Sequence, residues 1–281
     1  MALSGAFATC LTGRVRHRLP DRRHHRRTSD RIEQEISLNT QMQPSCESCR
    51  TRDLKYWRNP TGVAVDFDTL RFLYVPDHVE SRMVADLALQ VFAWQKKHRG
   101  SEDQITRAVM VTMGGMLPGV LLHDHLAWHA DPDIPAVEFG TLGVKYYAGP
   151  GVPLERPIIV QNMTINVRNH VVGVVEDLVD LGGTARFVAD YLAIHGARAS
   201  VLIAPWLKNR EVLNTMPVIN FGFVPADTWI IMPRERVETL IKRVPHWRGG
   251  GGDLAACAAN LRSIGYPDYL IEQYLPAAFE A

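Results

Sequence analysis

Residues 171–186, "VVGVVEDLVDLGGTAR", place acidic side chains and a glycine-containing loop between an apolar run and a helix-like segment. The adjacent carboxylates of Glu176 and Asp177 can hold two hydroxyl groups of a sugar ring, either directly or through Mg²⁺, which prefers oxygen ligands. The loop 181–184 leads into a helix N-terminus, where free backbone N–H groups and the helix dipole favour a phosphate. This spacing predicts a site for a phosphorylated sugar.

The surrounding pattern indicates the elements that would position these residues. Short β-branched runs alternate with helix-like stretches, which predicts an α/β fold with a central parallel sheet flanked by helices. Such open sheets bind ligands beyond the carboxyl ends of their strands, so we expect a site just after Met113, Tyr147, Asp177 and Trp206. The predicted strands are 107–113, 136–147, 170–177, 199–206 and 228–233, and the predicted helices are 81–100, 118–130 and 184–196.

The run "EDLVDLGGTA" resembles the signature with which type I phosphoribosyltransferases bind 5-phosphoribosyl-1-pyrophosphate (PRPP). It is closest to the purine members of that family, the xanthine-guanine and hypoxanthine enzymes. The resemblance implies that Glu176 and Asp177 hold the ribose of magnesium-bound PRPP, and that Asp180 is the general base near the imidazole nitrogen of the purine. It also implies a small hood built from segments such as 204–235. The phosphate cradle would be formed by Leu181, Gly182, Gly183 and Thr184, with Leu181 standing where the family commonly has Thr.

A second match lies upstream, where "VMVTMGGMLPGVLLHDHL" resembles the pyrophosphate loop of the same family. The resemblance implies that Met113, Gly114 and Gly115 form this loop. In the family, the turn carries a non-proline cis peptide that presents an amide to pyrophosphate. Family members often have Arg or Lys at the position of Met113.

Residues 138–160 occupy the place of the mobile loop that closes over the active site in the family. We expect a strand leading into the loop, with Lys145, Tyr146 and Tyr147 at its base. Closure of such a loop shields a cation-like ribosyl group from water. The alternative is a solvent loop with surface tyrosines.

Residues 202–233 resemble the base-recognition end of purine phosphoribosyltransferases. By that likeness Trp229 stacks on the purine and Ile230 offers backbone groups to its edge. A lysine near the exocyclic 6-oxygen would favour oxopurines, and Lys208 reaches that position after a two-residue shift, whereas an ungapped comparison places Trp206 there. Trp229 as a core aromatic and Lys208 as a surface charge remain alternatives.

The composition, 281 residues of which 46% are hydrophobic, fits one core domain with appendages. We predict a disordered basic tail over 1–50, a phosphoribosyltransferase domain over 51–248, and a helical extension over 249–281 that begins with four glycines. Residues 14–31 contain eight Arg and two Asp, a surplus of six positive charges, so the rest of the chain carries −5 of the net +1. A mildly acidic body argues against a core that binds nucleic acid.

Four cysteines are too few and too unevenly spaced for a secreted disulfide framework, which favours a cytoplasmic protein. No uninterrupted apolar stretch approaches eighteen residues, so we expect no membrane span. The acid-poor N-terminus fits an organelle transit peptide. It fits equally an untranslated or misassigned upstream start, in which case Met42 is the working initiator. We also expect a homo-oligomer.

These features predict an enzyme that transfers the phosphoribosyl group from PRPP to guanine, xanthine or hypoxanthine, with Mg²⁺ as cofactor and release of pyrophosphate. Two other readings stay open. The first is a regulator that senses PRPP or a nucleotide without turnover, which the residues at Met113 and Leu181 make conceivable. The second is transfer to a different nucleobase.

Overall fold

Two β-sheets organise the part of the chain that the computed structural model describes, residues 54–149 and 152–281. The predicted basic tail, residues 1–50, lies outside these residues. The strands are β1 (Val63–Ala64), β2 (Arg71–Tyr74), β3 (Ile105–Thr112), β4 (Glu138–Gly149), β5 (Val152–Gln161), β6 (Val171–Val175), β7 (Leu178–Val179), β8 (Ala199–Leu207), β9 (Val218–Phe223) and β10 (Thr228–Ile231). The helices are α1 (Leu54–Arg58), α2 (Asp77–Lys97), α3 (Met116–Ala127), α4 (Gly183–Ile194), α5 (Arg236–Gly249), α6 (Leu254–Ile264) and α7 (Asp268–Glu280).

The larger sheet has seven strands, with β3 and β6 side by side at its centre. β5 pairs antiparallel with β4, and every other pairing in this sheet is parallel. The predicted α/β fold with a central, mostly parallel sheet flanked by helices is therefore confirmed.

Helices cover both faces of this sheet, which explains why all five residues of β6 are buried. Val171 and Val175 pack into a cluster with residues of α2 and α3, whereas Val172 and Val174 pack into another with residues of α4. This alternation follows the two-residue period of a strand. It fixes the end of β6, and hence the acids that follow it, against a rigid core.

The smaller sheet joins parts of the chain that are far apart in sequence. β2 pairs antiparallel with β1 and parallel with β10. The predicted hood segment is corrected here, because residues 204–207 and β9 belong to the central sheet and only β10 lies in the smaller one. Local patterns reveal that a segment is a strand but not which distant strand it pairs with.

The last three helices pack against the smaller sheet. Phe72 of β2 meets Trp247 of α5 edge to face, with ring centroids 5.7 Å apart. Both rings lie in a buried cluster with Cys257 and Leu261 of α6 and with residues of α7. α5 ends at Gly249, the first of the four glycines, so this run connects helices that share one core; the domain edge predicted there stays a prediction. No helix within residues 54–149 and 152–281 is long and apolar enough to cross a bilayer.

The segment predicted as a mobile loop is mostly regular structure. β4 and β5 pair antiparallel from Gly143 opposite Gln161 to Gly149 opposite Val152, so the two strands form a hairpin. Pro153 and Pro157 lie on β5, an edge strand, where a residue without an N–H is tolerated. Pro150 and Gly151 lie outside the described residues.

Candidate active site

A cavity of about 290 Å³ opens at the carboxyl ends of β3 and β6. It is the location expected for a ligand site in an open parallel sheet. Residues of both sequence motifs line the cavity, together with Val144 and Tyr146 of β4. Its lining consists of Val111, Thr112, Gly114, Val144, Tyr146, Glu176, Asp177, Leu178, Val179, Asp180, Leu181, Gly182, Gly183, Thr184 and Ala185.

The two adjacent acids experience different environments. Glu176 is 7% exposed, and its burial raises the pKa of its carboxyl to about 8 despite the opposing charge of Arg234. Asp177 is better solvated: one carboxylate oxygen accepts from the Leu178 amide at 2.7 Å, and the other forms an ion pair with Arg234. At neutral pH the pair therefore offers one largely protonated carboxyl, which can donate a hydrogen bond, and one carboxylate, which can accept.

The loop after Asp180 forms the predicted helix N-terminus. Gly182 caps α4 with a φ of 80°, a left-handed conformation that glycine adopts without steric cost. A Cβ on Gly183 would lie 3.2 Å from the ring of Tyr146, so this ring closes over the loop. The first turn of α4 contains no acidic residue, which leaves its free N–H groups open to an anion.

The Met113 turn lies beside the same acids. The Thr112–Met113 peptide bond is cis, as the resemblance implies, and the Met113 side chain is 74% exposed. A Cβ on Gly114 would stand 2.6 Å from Oδ1 of Asp177. Asp177 therefore leaves no room for a side chain at Gly114.

Gly115 has no room for a side chain, because a Cβ there would lie 1.9 Å from the carbonyl oxygen of Val175. We expect Gly115→Ala to displace the turn or the end of β6 and to lower the free energy of unfolding by about 1–3 kcal/mol. Urea denaturation checks this value. Gly249→Ala is the matched control, since a Cβ at Gly249 meets nothing within 4 Å; a similar loss in both variants would contradict the assigned clash.

Lys208 lies beside the candidate general base. β7 runs parallel to the end of β8, and the Lys208 amide donates to the Val179 carbonyl at 2.8 Å. As a result Nζ of Lys208 is 3.8 Å from Oδ1 of Asp180. Trp206, the ungapped alternative, is fully buried and donates its indole N–H to the Trp57 carbonyl. The geometry favours the two-residue shift.

Several predicted site residues do not line this cavity. Trp229 donates its indole N–H to Thr239 at 3.0 Å and packs on the C-terminal helical cluster, and Ile230 is buried in the core. Lys145 pairs through its backbone with Ile158 in the hairpin, as Tyr147 does with Pro153. Base-binding and loop-closing roles for these residues stay predictions.

Two charged residues outside the cavity lining are connected to it, Arg234 through Asp177 and Glu80 through the charge of Arg234. Arg234, in the short 3₁₀ segment Pro233–Glu235, reaches Asp177 from 57 residues away. Glu80 of α2 is 1% exposed, and its burial raises the pKa of its carboxyl to about 7 within the field of Arg234. No local motif marks either residue. The only sequence signal was a basic residue directly after an apolar strand, at "IIMPRE".

No protein-family profile and no curated protein sequence matches the chain. Among solved structures, it is similar to a purine phosphoribosyltransferase from Pyrococcus horikoshii, with 21% identity and a TM-score of 0.41 over 58% of this chain and 92% of that one. A hypothetical protein from Neisseria gonorrhoeae with bound ppGpp has 18% identity and a TM-score of 0.45, over 60% of this chain and 91% of that one. A hypoxanthine-guanine phosphoribosyltransferase from Bacillus anthracis has 19% identity and a TM-score of 0.40, over 56% of this chain and 84% of that one. Two of these three are named for the family that residues 176–184 resemble.

Proposed function

We propose that this chain binds magnesium-bound PRPP and transfers its phosphoribosyl group to an oxopurine, with release of pyrophosphate. One observation carries the proposal: the acid pair, the N-terminus of α4 and the Met113 turn, which are separate in sequence, all border a single cavity. Each of the three suits a different part of PRPP.

The proposed pose follows from the chemistry of these parts. The 5-phosphate accepts hydrogen bonds from the N–H groups at the start of α4. The ribose hydroxyls bind Glu176 and Asp177, and the pyrophosphate lies against the Gly114 turn. In the reaction, the bond from ribose C1 to the pyrophosphate oxygen breaks, a bond from C1 to a purine nitrogen forms, and that nitrogen loses its proton. The chain contributes mostly position and electrostatics.

Asp180 and Lys208 would act on the base. Asp180 is half-exposed at the rim, where it can accept the proton from the purine nitrogen. Nζ of Lys208 lies 3.8 Å from Oδ1 of Asp180, and the lysine would also bind a 6-oxygen of the base. A positive charge at that atom favours guanine, xanthine or hypoxanthine over adenine, whose exocyclic amino group donates hydrogen bonds.

Magnesium fits this arrangement as part of the substrate. Among the described residues, no three His, Cys, Asp or Glu side chains cluster closely enough to form a metal site of their own. Asp177 supplies carboxylate oxygens of the kind that Mg²⁺ takes when it is already held by substrate oxygens, and Glu176 would supply them once metal binding displaces its proton. The ion would neutralise the charge that develops on the departing pyrophosphate.

A second candidate function is a PRPP-sensing regulator without turnover. It is favoured by the side chains at the two anion-binding turns, because Met113 and Leu181 are 74% and 61% exposed and neither carries a polar group. Binding through backbone amides alone would hold PRPP without the charge needed to assist departure of pyrophosphate.

Pyrophosphate release separates these functions. Purified protein with PRPP and Mg²⁺ should release pyrophosphate when guanine, hypoxanthine or xanthine is added, and adenine serves as the comparison base. PRPP binding without release for any base in a full panel would favour the regulator. Turnover with a pyrimidine alone would contradict the assignment of Lys208 to an oxopurine.

A further inference from the structure

Arg234 does not line the cavity itself, but it pairs with the lining residue Asp177 and has acids of two other elements near it. Its guanidinium pairs with Asp177 and, at 3.3 Å, with Oε1 of the adjacent Glu235. Glu80 and Glu176 also lie within its electrostatic reach. The Arg234 side chain is 19% exposed, so it is mostly desolvated yet open on one side.

The guanidinium has more binding capacity than these contacts use. Nη1 of Arg234 is buried and makes no hydrogen bond with any described residue. Both of its ion pairs, with Asp177 and with Glu235, use Nη2, so neither engages Nη1. An arginine with unused donors in a desolvated position suits an oxyanion such as a phosphate group.

The turn proposed to hold pyrophosphate has no cation of its own. Its residues are Met113, Gly114, Gly115 and Met116, and none of the described residues lining the cavity is a Lys or Arg. Asp177 lies between the turn and the guanidinium, since Oδ1 faces Gly114 and Oδ2 pairs with Arg234. The guanidinium is therefore separated from the turn by the width of one carboxylate.

We propose that Arg234 is the pyrophosphate-binding cation of this site and that it supplies from the Pro233–Glu235 segment the charge that Met113 does not. The inference rests on the proposed function. When PRPP binds, the ribose hydroxyls replace the guanidinium on Asp177, and the guanidinium turns to the pyrophosphate oxygens. Asp177 thus holds Arg234 in place until the substrate arrives.

Calorimetry with two ligands tests this role. Ribose 5-phosphate contacts the acid pair and the α4 loop but lacks pyrophosphate, so it reports on everything except the proposed contact. For Arg234→Gln we expect PRPP affinity in Mg²⁺ buffer to fall about tenfold to a hundredfold, the value of a charge-assisted hydrogen bond. Affinity for ribose 5-phosphate should change by less than about threefold, and Arg234→Lys should retain part of the PRPP affinity. Arg262→Gln, which removes an exposed arginine paired with Asp268, is the control and should change neither.

A rescue variant separates ligand binding from a structural role. Met113→Lys places a cation directly on the turn, so Met113→Lys combined with Arg234→Gln should regain PRPP affinity without altering ribose 5-phosphate affinity. Equal losses for both ligands in Arg234→Gln would overturn the proposal, because they would mean that Arg234 only positions Asp177; so would unchanged PRPP affinity. If the wild-type protein binds neither ligand, the proposed function itself fails.

Discussion

Replacing both Glu176 and Asp177 with alanine should abolish measurable PRPP binding. The pair is the only part of the proposed pose that contacts the ribose hydroxyls, and hydrogen bonds to charged groups contribute about 1.5–3 kcal/mol each. Losing both carboxyl groups should weaken PRPP binding by about 100-fold or more. Isothermal calorimetry in Mg²⁺ buffer measures the effect.

The controls for this variant address folding and charge separately. Glu176→Gln with Asp177→Asn keeps the side-chain volumes, so a folded protein with the same loss of PRPP affinity would assign the effect to the carboxyl groups. Glu272→Ala removes an exposed carboxylate on α7 and should leave binding unchanged. Near-normal affinity in the folded double variant would remove the acid pair from the site.

Asp180→Asn should lower turnover by about 100-fold to 10,000-fold, the usual contribution of a general base. PRPP affinity should fall only a few-fold, because the Asp180 side chain is 49% exposed at the rim and the pose assigns it to the base. Steady-state rates of pyrophosphate release and calorimetry of PRPP provide the two values.

Asp190→Asn is the matched control for that prediction. Asp190 is an exposed aspartate on the same helix that begins at the phosphate loop, and it does not line the cavity. Its variant should turn over at the wild-type rate. A parallel loss of PRPP affinity and turnover in Asp180→Asn would instead make Asp180 a substrate-binding residue.

The local parts of the site could be read from the sequence because their geometry is set by neighbours along the chain. Glu176 and Asp177 follow a strand whose buried valines fix its direction, and the glycine-containing loop leads within a few residues to the start of α4. The position of the Gly114 turn follows in the same way from the end of β3. Parallel strands present their carboxyl ends at one edge, so the sequence also determined that the two motifs would lie near each other.

The tertiary structure alone decided which distant residues complete the site. Arg234 reaches Asp177 because β10 pairs with β2, and Lys208 reaches Asp180 because β7 pairs with β8. No local sequence pattern specifies either pairing. For the same reason Trp229 contacts Thr239 and the C-terminal helices rather than the cavity. Hydrophobic period and turn residues determine what an element is, because they act over a few residues. Strand pairing and core packing determine what it touches, because they depend on the whole chain.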